Sequence, residues 1–290
     1  MRIAYHLGVH CTDNDRLITS LAQNRDLLQR EGVAVPPPAR YRTLIRDTAI
    51  SLKGRTATPE TQALVLDQIL DDREVERVVL SWDSFLAFPL WALQGGLYPN
   101  GGQRMHAIAQ IFPDLEAEFF LAIRSPATFL PELLKKQRGK SYDEFMGGVH
   151  PQDLFWSTLI RDLRAHNPGV PVTVWCDEDT PLLWPEVLRT VADIPHDIPL
   201  DGQDALLRTL MTEDGMDRMN GYLATHPPRS EAQWRRVASA FLDKFARPEE
   251  LTMEVDLPGW TEDLVEALTV QYEQDVARIA HLPGVRLLQP

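Results

Sequence analysis

Four short hydrophobic runs, each followed by a turn and then by an amphipathic stretch, constrain this chain more than any other feature. They are Arg2–Leu7, Arg77–Ser81, Glu118–Ile123 and Pro171–Trp175. Runs of this length, largely apolar, read as strands buried on both faces, and the stretches between them have helical period. Strands alternating with helices need crossover connections, which build a parallel sheet covered on both sides. The expected class is therefore α/β, a parallel sheet flanked by helices with a helical C-terminal third. We expect a single domain, with an α/β core over about 1–180 and a helical elaboration over about 181–290.

Local signals fill in the elements. Arg16–Glu31 carries Leu17, Ile18, Leu21 and Leu28 on one helical face, with Gly32 as a stop. Val33-Ala34-Val35 is a second short strand, cut off by Pro36-Pro37-Pro38, which ends regular structure and begins a connection. Thr58-Pro59 is a capping residue before a first-turn proline and opens a helix to about Asp72. A loop rich in glycine and aromatics runs from Trp82 to Gly102, then a helix to Ile111, with further helices at about Thr128–Lys136 and Pro151–His166. Beyond Trp184 the pattern gives Trp184–Val191, Gly202–Tyr222, Ser230–Ala246 and Thr261–Leu282, then a short tail Val285–Leu288.

Charge narrows the partners. The net charge of −13 disfavours nucleic acid, because phosphate backbones need a basic surface. The densest basic group, Lys135-Lys136-Gln137-Arg138-Gly139-Lys140, reads as a solvated helix end. No apolar run approaches a membrane span, the start Met1-Arg2-Ile3-Ala4-Tyr5 has no signal-peptide core, and Cys11 and Cys176 do not make a disulfide framework. These features lead us to expect a cytoplasmic protein with no nucleic-acid or membrane partner and no bound metal.

Ligands of open parallel sheets bind outside the carboxyl ends of the strands. Four such ends are legible: Gly8–Asp15, Ser81-Trp82-Asp83-Ser84, Arg124-Ser125-Pro126 and Trp175-Cys176-Asp177-Glu178. The first runs from strand to glycine-bearing turn to helix, an arrangement that aims backbone N–H groups and a helix dipole at one volume and often holds phosphate. Its side chains are Cys11, Asp13 and Asp15, where a phosphate loop carries lysine and glycine.

His6-Leu7-Gly8-x-His10, a polar loop, a helix ending Asn24-Arg25-Asp26-Leu27-Leu28 and then Gly32-Val33 together resemble the opening of bacterial sulfotransferases. Phe119–Ile123 followed by Arg124-Ser125-Pro126 is similar to that family's second donor-binding element. Tyr272 and Asp275 before Leu282-Pro283-Gly284-Val285 resemble the way such chains end. The resemblance implies a P-loop-like α/β fold and sulfuryl transfer from 3′-phosphoadenosine 5′-phosphosulfate (PAPS) to a hydroxyl of a carbohydrate or small-molecule acceptor. It places Gly8, Cys11, Thr12, Asn14 and Arg16 around the donor's 5′-phosphosulfate and Arg124 at its 3′-phosphate. It also asks for a general base, for which Asp83 is the best-placed residue and His10 the next.

This sequence departs from the family pattern at the points that carry charge. Cys11 stands at the lysine position, Asp13 replaces a glycine, and Glu132 stands where the second element presents a serine. Aspartates at a helix start stabilise it by about 0.3–1 kcal/mol, so they can fill an anion hole instead of binding an anion. The alternative is then a catalytically inactive protein of the same fold that acts as a binding or scaffolding module. Trp82, Phe85, Phe88 and Trp91 would form its partner or carbohydrate surface, or else pin a long loop to the core. Two further chemistries remain open: a reactive Cys11 thiol at a helix N-terminus, and a zinc set drawn from His10, Cys11, Asp13, Cys176 and Asp177.

Overall fold

The computed structural model describes residues 1–71, 74–137, 139–251 and 257–290. The strands are β1 (Arg2–His6), β2 (Val33–Ala34), β3 (Arg77–Ser81), β4 (Glu116–Ile123), β5 (Val172–Cys176) and β6 (Val285–Leu288). They form one sheet in the order β2-β3-β1-β4-β5-β6, and every neighbouring pair is parallel. The tail expected at Val285–Leu288 is thus a strand, with Val285 in register with Val172 and Leu288 with Trp175.

The first-half helices are α1 (Arg16–Gln23), α2 (Arg25–Arg30), α3 (Pro38–Leu52), α4 (Pro59–Ile69), α5 (Gly101–Ala109), α6 (Pro126–Lys135) and α7 (Tyr142–Met146). After them come α8 (Trp156–His166), α9 (Thr180–Ala192), α10 (Ala205–Leu210), α11 (Glu213–Thr225), α12 (Glu231–Phe245), α13 (Pro248–Leu251) and α14 (Glu262–Ala280). The parallel α/β architecture and the helical last third are as the sequence reads.

Alternation along the strands assigns two cores. Ile3 and Tyr5 of β1, Val78 and Leu80 of β3, and Phe119, Leu121 and Ile123 of β4 face one side, against α3, α4, α5, α6, α8 and α14. Ala4, Val79, Phe120, Ala122 and Trp175 face the other, against α1, α2 and α9. A third cluster, Leu207, Met211, Met216, Met219, Trp234 and Ala238, holds α10, α11 and α12 together beyond α9.

Several boundaries differ from the sequence reading. The helix expected over Arg16–Glu31 breaks at Asn24, whose buried amide donates to Ser20 O at 2.9 Å and to Asp201 O at 3.0 Å. Asp201 N in turn donates to Asn24 Oδ1 at 2.8 Å, so a distant loop completes a side-chain competitor to the helical ladder. The proline triplet does end β2, but its last residue also starts the 15-residue α3, because proline is preset for the first helical turn. Thr58 caps α4 as expected, accepting from Thr61 N, and the helix ends at Ile69; Asp72 and Arg138 lie outside the described residues. The run Gly202–Tyr222 divides into α10 and α11 at Met211-Thr212, where Thr212 caps the second helix through Gly215 N.

From β1 the chain leaves toward β2 and β3, whereas β4 leads on to β5 and β6. Adjacent strands whose connections depart in opposite directions leave a crevice at their carboxyl ends. That crevice lies between β1 and β4.

Candidate functional site

The loop after β1 remains tied to the sheet. Val9 N donates to Ala122 O at 3.1 Å and Ala122 N donates to Gly8 O at 2.7 Å, so β1 and β4 stay paired beyond His6. Gly8 has φ +89°, and a side chain there would lie 3.0 Å from the Cα of Asp83, so the residue is glycine for both backbone and space. Cys11, Asn14 and Asp15 also take positive φ, which folds residues 11–15 tightly over the start of α1.

This fold directs the loop's donors inward. Asp13 Oδ1 accepts from Asp15 N at 3.3 Å and Asp13 Oδ2 from Leu17 N at 3.1 Å, while Asp13 O accepts from Arg16 N at 3.0 Å. His10 N donates to the Tyr98 hydroxyl at 3.2 Å. The amides of Asp15, Arg16 and Leu17, at the start of α1, are therefore taken by Asp13 of the same loop, and that of His10 by Tyr98. Thr12 Oγ1 donates to Val9 O at 2.7 Å. Asp15 is held from α3 by Arg42, with Nη2 2.5 Å from Oδ1 and Nη1 3.1 Å from Oδ2.

Arg124, at the end of β4, meets the loop directly. Its Nη1 donates to Cys11 O, its Nε donates to Thr128 Oγ1 at 3.0 Å, and Asp177 Oδ2 lies 3.9 Å from Nε. The guanidinium is thus engaged by groups of the protein itself. Glu132 pairs with Lys135 at 2.5 Å, one helical turn on. Asn14 and Arg16 are exposed at the edge of the crevice.

Asp83 and His10, the two candidate bases, lie on one hydrogen-bonded chain. His10 Nδ1 is 2.7 Å from the Tyr98 hydroxyl, His10 Nε2 is 3.4 Å from Ser84 Oγ, and Ser84 Oγ donates to Asp83 Oδ1 at 3.1 Å. Because Tyr98 accepts from His10 N, its own proton goes to Nδ1; Nε2–H then points to Ser84, whose proton goes to Asp83. Burial lowers the His10 pKa to about 4, with Asp83 opposing and Lys136 assisting, so the imidazole is neutral at physiological pH. It is a fully buried connector, and Asp83 is the end of the chain nearer solvent.

The thiol and metal chemistries find little support in this geometry. Burial pushes the Cys11 thiol up to about 11 and Cys176 up to about 12, which keeps both protonated and poorly nucleophilic. Among the described residues no group of three or more His, Cys, Asp and Glu side chains gathers as a metal would need. The aromatic loop is pinned by edge contacts running Phe85–Trp82–Phe88–Trp91, with Arg104 5.2 Å above Phe88, and of its aromatic residues Trp91 alone is exposed, beside exposed Leu90.

On the other face of the sheet the crevice opens into a cavity of about 130 Å³, bounded by Thr12, Asp13, Arg16, Trp175, Asp177 and Trp184 among others. Burial pushes the Asp177 carboxyl up to about 7; Glu178 and Asp13 add to the rise, and Arg124 and Arg16 oppose it. Glu178 closes the adjoining corner, accepting Ser125 N at 2.7 Å, with the Tyr272 hydroxyl 3.0 Å from its second oxygen.

Tyr98, Ser84 and Arg42 escaped sequence reasoning. Tyr98 is 88 residues from His10 and Arg42 is 27 from Asp15, and neither spacing carries a signal. Ser84 was within reach, since it lies at one of the four strand ends beside Asp83. No family model, curated protein or solved structure matches this chain.

Proposed function

We propose that the protein is a binding module on a sulfotransferase-like, P-loop-like sheet, one that does not carry out sulfuryl transfer. The observation that carries this reading is Asp13. Its carboxylate occupies the N-terminal amides of α1, through Asp15 N and Leu17 N, where the donor's phosphosulfate would have to lie. An arriving anion would have to expel a bonded carboxylate and then face it without a lysine, since Cys11 is neutral. The occupant of the crevice is on this reading a small molecule, a carbohydrate or a protein partner, and PAPS is not its cofactor. Two unbonded cysteines and the acidic charge support a cytoplasmic setting without nucleic acid. Among the described residues no helix is long and apolar enough to cross a membrane.

The test is calorimetry with adenosine 3′,5′-bisphosphate, the product left when PAPS gives up its sulfuryl group. No heat of binding is expected at millimolar nucleotide. Saturable binding that Arg124→Gln abolishes would restore sulfuryl transfer. The observation in favour of that second reading is the Tyr98–His10–Ser84–Asp83 chain, which orients a carboxylate at a strand end as a base for an acceptor hydroxyl requires.

A further inference from the structure

The aromatic loop after β3 borders a separate cavity of about 220 Å³, bounded by Trp91, Gln94, Pro99, Asn100 and Arg104 among others. Trp91, Gln94, Pro99 and Asn100 are exposed and Arg104 is half-buried, so these side chains form its accessible wall. Backbone and ring contacts fix Trp91. Gln137 Nε2 donates to Pro89 O at 2.6 Å, Trp91 N donates to Phe88 O at 2.9 Å, and the indole meets the Phe88 ring at 5.9 Å, yet 48% of Trp91 stays exposed. Asn100 stands at the N-cap of α5, where asparagine commonly accepts from the first helical amides. Here Gly102 N donates instead to Asp162 Oδ2 at 2.7 Å, and among the described residues the side-chain amides of Asn100 and Gln94 make no hydrogen bond. Arg104 donates through Nε to Phe85 O at 2.8 Å and through Nη2 to Ser84 O at 3.2 Å, which leaves Nη1 without an acceptor. Among the described residues it makes no ion pair, and none of the residues lining the cavity is acidic. Burial and the neighbouring Arg46 both pull its pKa down, as expected of a positive charge without a counter-ion.

We propose that this cavity binds a hexuronate, its sugar ring lying on the Trp91 indole, its carboxylate toward Arg104 and its hydroxyls toward Gln94 and Asn100. A sugar ring presents a face of C–H groups, which packs on the face of an indole. Its rim of hydroxyls, each both donor and acceptor, matches carboxamides that also carry both. The carboxylate supplies the counter-charge that Arg104 lacks, and a planar guanidinium pairs well with a planar carboxylate. Size agrees. A cavity of about 150 Å³ encloses a benzene ring, so one of about 220 Å³ takes a six-membered ring and leaves its substituents room toward the open side.

The test titrates D-glucuronate, D-glucose and cyclohexanecarboxylate into the full chain at low salt, where an exposed charge contact is least screened. Calorimetry and tryptophan fluorescence follow binding to the parent, Trp91→Ala and Gln94→Ala. Glucuronate is expected to bind saturably, about tenfold more tightly than glucose, which lacks the charge, or cyclohexanecarboxylate, which lacks the hydroxyls. Trp91→Ala should weaken it about tenfold and Gln94→Ala about threefold. The glucose comparison probes the Arg104 contact without altering an arginine that holds Ser84 O and Phe85 O. No saturable glucuronate signal at tens of millimolar overturns the proposal, as does equal affinity for glucose, for cyclohexanecarboxylate or in Trp91→Ala. The site stands apart from the first loop, so nucleotide binding that depends on Arg124 would overturn the module reading and leave this proposal untouched.

Discussion

Asp13 is the residue on which the first loop turns. Its side chain joins the start of α1 to the loop before it by accepting from Asp15 N and Leu17 N, and so takes two amides that an anion would use. Removing a capping carboxylate of this kind costs about 0.5–2 kcal/mol, so Asp13→Ala should lower the urea midpoint accordingly, and Asp13→Asn should fall between the parent and Asp13→Ala because one of its accepting oxygens becomes a donor. Equal stability of parent and Asp13→Ala would show that the cap contributes nothing. His10 teaches a related lesson about residue identity. A histidine beside a proposed pocket invites a catalytic role, yet its 0% exposure, its low pKa and its bond to Tyr98 make it a fixed part of the core. The Tyr98 partner could not be read from sequence, because a hydrogen bond across 88 residues leaves no periodic mark.

Elements with an apolar centre buried on both faces were legible, and those defined by their neighbours were not. β1, β3, β4 and β5 announced themselves because central parallel strands are apolar on both faces. α3 has a weak apolar stripe, only Tyr41 and Ile45 being buried, so its 15 residues passed as connection. It nevertheless supplies Tyr41 and Arg42, whose side chains both hold Ser81 O at the end of β3. The contact of α5 with α8 is tighter than either helix suggests. Gly102 N donates to Asp162 Oδ2 at 2.7 Å, and a methyl at Gly102 would lie 2.3 Å from Asp162 O. Since the obstacle is backbone, Gly102→Ala should push the helices apart and cost about 1–3 kcal/mol, visible as a lower thermal midpoint, whereas an unchanged midpoint would mean the pair has slack.

At the scale of the whole molecule, two buried groups pull stability in opposite directions with pH. Asp177 has its folded value raised from 3.8 to about 7, so from about pH 4 to 7 the folded chain keeps a proton the unfolded chain has lost, and stability falls as pH rises. His10 has its folded value lowered from 6.5 to about 4, so over that window the unfolded chain holds the extra proton and stability rises with pH. Asp177→Asn removes the first contribution. Its stability relative to the parent should therefore climb from about pH 4 to 7, by at most about 1.4 kcal/mol per pH unit, and then level off. Urea denaturation across that range measures it, and a flat difference would contradict the assignment. The sequence by itself determined the class of sheet, the strand ends that border the crevice and the acidity of the first loop, because these follow from local pattern and composition. Only the tertiary structure decided that the loop's donors turn inward on Asp13, that His10 is a buried link and that Asp162 rather than Asn100 takes the Gly102 amide of α5. Those outcomes depend on which distant side chain completes each hydrogen bond and which is left without one, and chain order does not record that.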